Sequence, residues 1–209
     1  MNQLYETPQD NLKKHLESDR LILRAYQEGD EGDFFQVLIE NKDRLDPASS
    51  GRLGFIKMLD DARIKIKQLQ TDWNARKLFS FGIWLKDSNT YIGDITLKNI
   101  DLSIPKAEVG FYIDNSYTGK GYAAEALKVI IAFAFNNLKL NKLYGRCTEQ
   151  NTPCSLLFEH AGFMQEGYIR QDIWSKDNSK LLDLYYYGMT RAEFDQATKL
   201  RREELTAVG

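Results

Sequence analysis

The stretch NSYTGKGYAAEALKVIIAFAF, residues 115–135, sets two glycines around a lysine and then continues directly into an apolar segment. We expect a helix that begins after Gly121, because apolar residues follow the second glycine without a break. A helix N-terminus exposes unsatisfied backbone N–H groups, and glycines let an anion approach them closely. The stretch therefore predicts a tight turn into a buried helix, a phosphate-binding loop, or both.

Two common glycine motifs do not account for this loop. The sequence does not match a Walker A loop, because Asp114 stands at the position of the first glycine and Gly121 replaces the required Ser or Thr. The dinucleotide-binding motif is matched at Gly119, Gly121 and Ala124, but it also requires an acidic residue about twenty positions later. None occurs over residues 126–148. The remaining interpretation is a strand, a glycine turn and a helix whose free N–H groups bind a pyrophosphate.

Composition narrows the class of protein. The chain has 209 residues and a formal net charge of -2, which argues against a nucleic-acid binder that depends on bulk positive charge. The longest apolar run, Val129–Phe135, is far short of the roughly 20 residues of a membrane span. Two cysteines, Cys147 and Cys154, cannot form a disulfide framework, so we expect a cytoplasmic protein. The two histidines, His15 and His160, do not have the spacing of metal ligands.

We expect one domain over residues 1–209, with a polar N-terminal arm over 1–15 and a charged C-terminal helix over 191–209. Strand-like segments cover residues 20–26, 77–86, 90–100, 106–114, 142–148, 163–174 and 181–189. Helices are expected within 28–45, after Gly121 and over 153–162. Another follows the apolar stripe Phe55, Leu59, Ala62, Ile66, Leu69 and Trp73. The fold class is α+β, with a mixed and mostly antiparallel sheet.

Several motifs in order carry a family resemblance. AEVGFYIDNSYTGKGYAAEAL (107–127) followed by NTPCSLLFEHAGFMQEGYIR (151–170) resembles the GNAT acetyltransferases. LESDRLILRAYQEGD, YIGDITL and DLYYYGM match the branch that includes the ribosomal-protein N-terminal acetyltransferases RimJ and RimL. The resemblance, from about Leu16 to Thr190, implies a three-layer fold with a splayed strand pair and helices on both faces. It also implies an acetyl-CoA-dependent N-acetyltransferase without a metal, in which an amine attacks the thioester directly.

The resemblance further implies that acetyl-CoA lies in a V-shaped opening between AEVGFYID and KLYGRCT. The backbone groups of Tyr112 and Ile113 would pair with its pantetheine arm, and the amide of Phe111 or Tyr112 would polarise the thioester carbonyl. Asn151 would also touch the cofactor, although an N-cap role explains it equally. The pyrophosphate would bind the backbone amides of Tyr117, Thr118, Gly119, Lys120, Gly121, Tyr122 and Ala123.

Two glutamates are candidates for the base that removes the proton of the amine through water. Glu108 alternates with Gly110 and Tyr112 on its strand, and Glu166 matches the family's acidic position after the second helix. Each also fits a surface glutamate. Asp94 and Glu125 are weaker candidates, and the helix dipole alone explains Glu125.

The chain departs from the family pattern at the group that protonates the leaving thiolate. Phe158 stands at the cofactor-contacting position where many members have tyrosine, and Cys154 replaces the serine of N-x-x-S. Cys154 is therefore the candidate general acid, and a small residue packed at the helix start is the alternative.

Three functions remain open on the sequence. The first is acetylation of the α-amino group of a protein. The second is acetylation of a small amine such as a polyamine or aminoglycoside, which the acidic segment YQEGDEGDFF (26–35) could bind. The third is a non-catalytic module that binds acyl-CoA. We expect a monomer or homodimer with no nucleic-acid or membrane partner.

Overall fold

A computed structural model describes residues 12–45, 56–101, 103–175 and 177–207. Its strands form one eight-stranded sheet in the order β1-β2-β3-β4-β5-β6-β8-β7. The strands are β1 (His15–Glu17), β2 (Leu21–Ala25), β3 (Phe79–Leu85), β4 (Tyr91–Asp101), β5 (Lys106–Ile113), β6 (Lys142–Thr148), β7 (Met164–Trp174) and β8 (Leu181–Thr190). The helices are α1 (Glu31–Asn41), α2 (Leu59–Asn74), α3 (Tyr122–Ala132), α4 (Thr152–His160) and α5 (Arg191–Ala207).

The β5–β6 pair is parallel, and the other described pairs are antiparallel. A parallel pair requires a long crossover, which α3 provides by running back between the two strands. Pairing between β5 and β6 covers Lys106 to Glu108 on one strand and Lys142 to Tyr144 on the other. Beyond these residues the two strands separate. The expected splayed pair is therefore present, and its apex lies at Glu108 and Tyr144.

Neighbouring residues of a strand point to opposite faces of the sheet, which separates two cores. The larger core contains Ile83 and packs α3 and α4 on one face. The smaller core contains Trp84 and packs α1 and α2 on the other face. The predicted α+β fold with helices on both faces is confirmed. Within the described ranges, no helix is both long and apolar enough to span a membrane.

The structure adds to the sequence prediction at both ends of the chain. Leu12, placed in the polar arm, is buried in the larger core, and His15 already begins strand β1. The helix predicted over 191–209 extends over Arg191–Ala207. In the stripe of α2, Ala62, Ile66, Leu69 and Trp73 are buried as expected. Residues 1–11 of the arm, Phe55 and residues 208–209 lie outside the described residues.

Candidate active site

The glycine loop has the backbone conformation that its sequence suggested. Gly119 and Gly121 have φ angles of +73° and +82°, in the left-handed region that other residues adopt at a cost. Gly121 is the N-cap of α3. A Cβ atom on Gly119 would meet no atom within 4 Å, so this side of the turn is open. The loop thus presents bare backbone at the N-terminus of an eleven-residue helix.

The start of the loop is held by the end of α1. The Asn41 amide donates to Asp114 Oδ1 at 3.1 Å, and Asn41 Oδ1 accepts the backbone N–H of Asn115 at 2.8 Å. Arg44 also bonds the side chain of Asn115. Tyr117 packs against the ring of Tyr122. The loop therefore has a fixed conformation before any ligand binds.

A second brace comes from the turn between β1 and β2. Arg20 Nη1 donates to the carbonyl oxygen of Lys120 at 3.1 Å, and its guanidinium lies 4.5 Å from the ring centroid of Tyr122. Arg20 Nε donates to Glu125 at 2.7 Å, and the same carboxylate accepts from Ser18 at 2.7 Å. Burial raises the pKa of Glu125, but these hydrogen bonds outweigh it and hold the pKa below its usual 4.5. Glu125 thus anchors the loop, beyond any effect of the helix dipole.

Phe158 closes the base of the V on the α4 side of the sheet. Its ring is buried and lies 5.9 Å from the ring of Phe111 on β5. A Cβ atom on Gly145 of β6 would lie 2.1 Å from the Phe158 ring, so this contact requires glycine. The ring therefore fills the space below the gap between the separated strands. It has no proton to donate to a leaving group.

Asn151 and Cys154 form the first turn of α4. The Asn151 side chain accepts the backbone N–H of Cys154 at 3.2 Å, so the N-cap role is present. Cys154 is partly buried and packs against the larger core. This position suits a small packed residue. Contact of Asn151 with a cofactor and acid catalysis by Cys154 stay predictions.

A row of side chains crosses the opposite face at the apex of the V. The register places Lys98 on β4 beside Glu108 on β5, which pairs with Tyr144 on β6. Glu108 is 3% exposed and accepts from Asn99 Nδ2 at 2.7 Å. Its carboxylate also lies 3.1 Å from Lys98 Nζ and 3.2 Å from Arg146 Nη2. Three strands are therefore joined by one buried carboxylate, whose oxygens are all engaged.

Glu166 lies on the same face, on β7, two strands beyond Tyr144. Tyr144 pairs with Gly188 on β8, and a Cβ atom on Gly188 would lie 2.4 Å from the Glu166 carboxyl carbon. Glu166 is solvent-exposed and pairs with Lys142 at 2.6 Å. The structure thus brings the two candidate bases to one face but gives them different environments. Glu108 is enclosed, whereas Glu166 is open to water.

Tyr144 separates these two glutamates and was not singled out by the sequence. Burial raises the pKa of the Tyr144 phenol, and the charge of Glu108 raises it further. The phenol is therefore protonated at neutral pH and available as a hydrogen-bond donor.

Asp94 belongs to a buried network of hydroxyl groups on β3 and β4. It accepts from Tyr26 at 2.9 Å, Ser80 at 2.6 Å and Thr96 at 2.8 Å. Burial is the main cause that raises the pKa of Tyr26 well above its usual value, and the charge of Asp94 is the second cause. This network joins the sheet to the segment after β2 and gives Asp94 a structural explanation.

The geometry fits a coenzyme A thioester. A glycine loop at a helix N-terminus lies at one end of the opening, and the β6-facing edge of β5 from Val109 to Ile113 has no strand partner among the described residues. Residues 20–164 match the family model described as "Acetyltransferase (GNAT) domain". The chain belongs to the GNAT acetyltransferases.

Two relatives and one solved structure are similar to this chain. It is 30% identical to the N-acetyltransferase p20 of Bacillus licheniformis over 54% of this chain and 63% of that protein, just under two thirds of its length. It is 24% identical to the ribosomal-protein-serine acetyltransferase of Escherichia coli, over 80% of this chain and 92% of that protein. The solved structure is RimL, a ribosomal L7/L12 α-N-protein acetyltransferase, in complex with coenzyme A. It has a TM-score of 0.76 at 18% identity and covers 83% of this chain and 95% of that one.

As a GNAT acetyltransferase, the chain carries two features that sequence motifs did not reveal. The Arg20–Glu125 brace joins residues 105 positions apart, and the Glu108 cluster joins strands β4, β5 and β6. A local pattern cannot indicate either one. The available signal was Arg20, which lies within the matching segment LESDRLILRAYQEGD.

Proposed function

We propose that this protein transfers the acetyl group of acetyl-CoA to the α-amino group of a polypeptide. The observation that carries the proposal is the opening between β5 and β6, which has a glycine loop at a helix N-terminus at one end and a row of charged side chains at its apex. Acetyl-CoA, when bound, supplies an acetyl group already activated as a thioester. The chain's residues must then bind it, orient it and remove a proton from the amine.

The glycine loop and α3 provide the binding end. The backbone N–H groups of Tyr117 and Thr118 already donate to the carbonyl oxygens of Asp114 and Asn115, so the groups that we assign to the anion are those of Gly119 to Ala123. The unpaired edge of β5 offers backbone groups that pair with an extended chain as a further strand would. The amide of Phe111 or Tyr112 on this edge is the donor that would polarise the thioester carbonyl.

Proton removal is assigned to Glu166, acting through water. Glu166 is accessible, whereas the Glu108 carboxylate accepts from Asn99 and faces two cations. The oxygens of Glu108 are thus already occupied by donors from the protein, and none is left to accept a hydrogen bond from a water that carries the proton. Glu108 is instead a positioning residue for Lys98 and Arg146. Tyr144, a protonated phenol near Glu108, is a hydrogen-bond donor on this face.

Charge favours a peptide over a small polycation as acceptor. In the acidic segment 26–35, Asp30 is bound by Arg24 at 2.7 and 2.8 Å, and Glu31 accepts a backbone N–H from Gly29 at 2.8 Å. Lys98 and Arg146 add positive charge to the apex. A polyamine or aminoglycoside needs uncompensated carboxylates, and two of the four in this segment are already engaged within the protein. The resemblance to ribosomal-protein acetyltransferases supports the same choice.

Release of coenzyme A thiol from acetyl-CoA tests the proposal. N-terminal peptides, spermidine and an aminoglycoside are compared side by side at equal concentration. We expect turnover with peptides and little with the polycations. Preferential turnover of a polycation would assign the protein to the small-amine class, and binding of acetyl-CoA with no turnover would indicate a non-catalytic module.

The role of Glu166 is tested by Glu166→Gln. We expect kcat to fall by at least about a hundredfold at pH 7, the contribution usual for a positioned base, with acetyl-CoA affinity unchanged. Asp87→Asn, in an exposed turn between β3 and β4, controls for the loss of one surface charge. Wild-type turnover in Glu166→Gln would exclude this assignment.

A further inference from the structure

A separate cavity lies near the β1 edge of the sheet, several strands away from the V-shaped opening. It has a volume of about 410 Å³ and is enclosed by residues of or next to β1 and β2, by the C-terminal half of α2 and by the start of β3. None of its lining residues belongs to β5, β6 or the glycine loop. Small-molecule sites are commonly cavities of this size that combine apolar walls with a few polar groups. The cavity is therefore a candidate ligand site distinct from the acetyl-CoA opening.

The floor of the cavity is built from side chains that the protein itself holds in place. Leu69 and Trp73 of α2 and Tyr26 after β2 line it and are buried. The Tyr26 hydroxyl donates to Asp94 at 2.9 Å, and the hydroxyl of Ser80, another lining residue, donates to Asp94 at 2.6 Å. The floor thus has its shape, and its largely apolar surface, before a ligand binds.

The charged residues that line the cavity are basic, and no carboxylate is among its described lining residues. Two of the three basic side chains are already paired. Both terminal nitrogens of Arg24 bind Asp30, at 2.7 and 2.8 Å. His15 bonds Glu17 at 2.9 Å. Neither side chain therefore needs a further anion.

Lys14 is the third basic residue, and its charge is uncompensated. Its ammonium donates to the neutral Asn74 side chain at 3.3 Å, and it forms no ion pair with a carboxylate in the part of the chain that the structure describes. An ammonium group has three donors, so this contact leaves others for a ligand. One unpaired positive charge beside an apolar floor matches a molecule with one negative charge and an apolar body.

We propose that this cavity binds a small organic carboxylate, with the carboxylate at Lys14 and the apolar body against Leu69, Tyr26 and Trp73. A monoanion fits better than a phosphate dianion, because one cation is uncompensated. A small amine fits poorly, because it would meet basic side chains and no lining carboxylate. The site thus differs in place and in charge preference from that of the amine acceptor.

Benzoate and benzamide are suitable probes, because they share a flat apolar ring and differ in charge. NMR of the full chain labelled with nitrogen-15 follows the indole N–H signals of Trp73, Trp84 and Trp174 during each titration, and Trp73→Phe assigns the first. We expect benzoate to shift the Trp73 signal and to bind about two- to fivefold more tightly than benzamide, the contribution of one exposed ion pair. The shift should persist with saturating acetyl-CoA.

Three results would overturn the inference. They are the absence of a saturable Trp73 shift at millimolar benzoate, its loss when acetyl-CoA is added, and a benzoate preference below twofold.

A matched pair of variants connects the preference to its residue. Lys14→Met should abolish the preference for benzoate over benzamide. Lys13→Met removes the same charge from the preceding residue, which is exposed and does not line the cavity, and should retain the preference. The preference of the unmodified protein should also shrink at high salt, because screening weakens an exposed ion pair. An unchanged preference in Lys14→Met would exclude Lys14 as the carboxylate partner, and with it the proposed site.

Discussion

Replacing Glu108 with glutamine should destabilise the fold more than any other single change of charge at the site. The carboxylate is 3% exposed, and three donors lie within 3.2 Å of it: Asn99 Nδ2, Lys98 Nζ and Arg146 Nη2. Removing one partner of a fully buried ion pair costs about 3–5 kcal/mol. Because Lys98 and Arg146 keep some contact with water, we expect about 2–3 kcal/mol.

Urea denaturation followed by circular dichroism measures this loss as a lower midpoint at constant slope. The matched control is Glu166→Gln, which removes one exposed ion pair with Lys142 and should change the stability by less than about 1 kcal/mol. An unchanged midpoint for Glu108→Gln, together with a large loss of turnover, would refute this reasoning. It would show that Glu108 is the base and that its contacts do not hold the strands.

Three further substitutions test the cofactor end and the thiol. Gly121→Val should weaken acetyl-CoA binding by at least about tenfold in a folded protein, since φ is +82° and a side chain would point at Arg20; calorimetry with acetyl-CoA measures it. Glu125→Gln should cost about 1–2 kcal/mol at pH 7 through loss of the Arg20 brace. The folded-state pKa of Glu125 is depressed, so this stability is present above pH 4.5 and is lost as the pH falls. Wild type and variant should therefore converge in acid denaturation, and a difference that persists at pH 2 would contradict the assignment. Cys154→Ala should lower kcat by less than tenfold and keep the same alkaline pH profile, because we expect Cys154 to be a packed residue. A positioned acid contributes about a hundredfold or more, so a loss of that size would show that the thiol is catalytic.

Local features of the fold could be predicted because their causes are local. Gly121 precedes α3 because a left-handed residue is needed at that turn, and Asn151 caps α4 through a hydrogen bond three residues away. The strand KLYGRCT was predicted at its observed limits. Alternation and capping depend on neighbours in the sequence, so they are readable from it.

Features that depend on pairing between distant strands could not be predicted. The sequence presented Glu108 as a candidate base because it alternates with Gly110 and Tyr112 on its strand, and nothing near it indicated a partner. Its partners come from another strand on each side, and Arg146 is 38 residues away. The arm was judged polar from its composition, although Leu12 is buried by contacts with residues far along the chain.

Two opposed contacts explain why the strands separate at one defined place. On one face, Glu108 binds Lys98 and Arg146 and so ties β5 to β4 and β6 at the last paired residues. On the other face, the Phe158 ring fills the space between Phe111 and Gly145 just beyond that point. The ion cluster keeps the strands together up to the apex, and the ring fills the space below the gap on the other face. The same carboxylate that fixes the apex also holds the two cations beside it, so the position of the opening and the charge at its apex depend on one group.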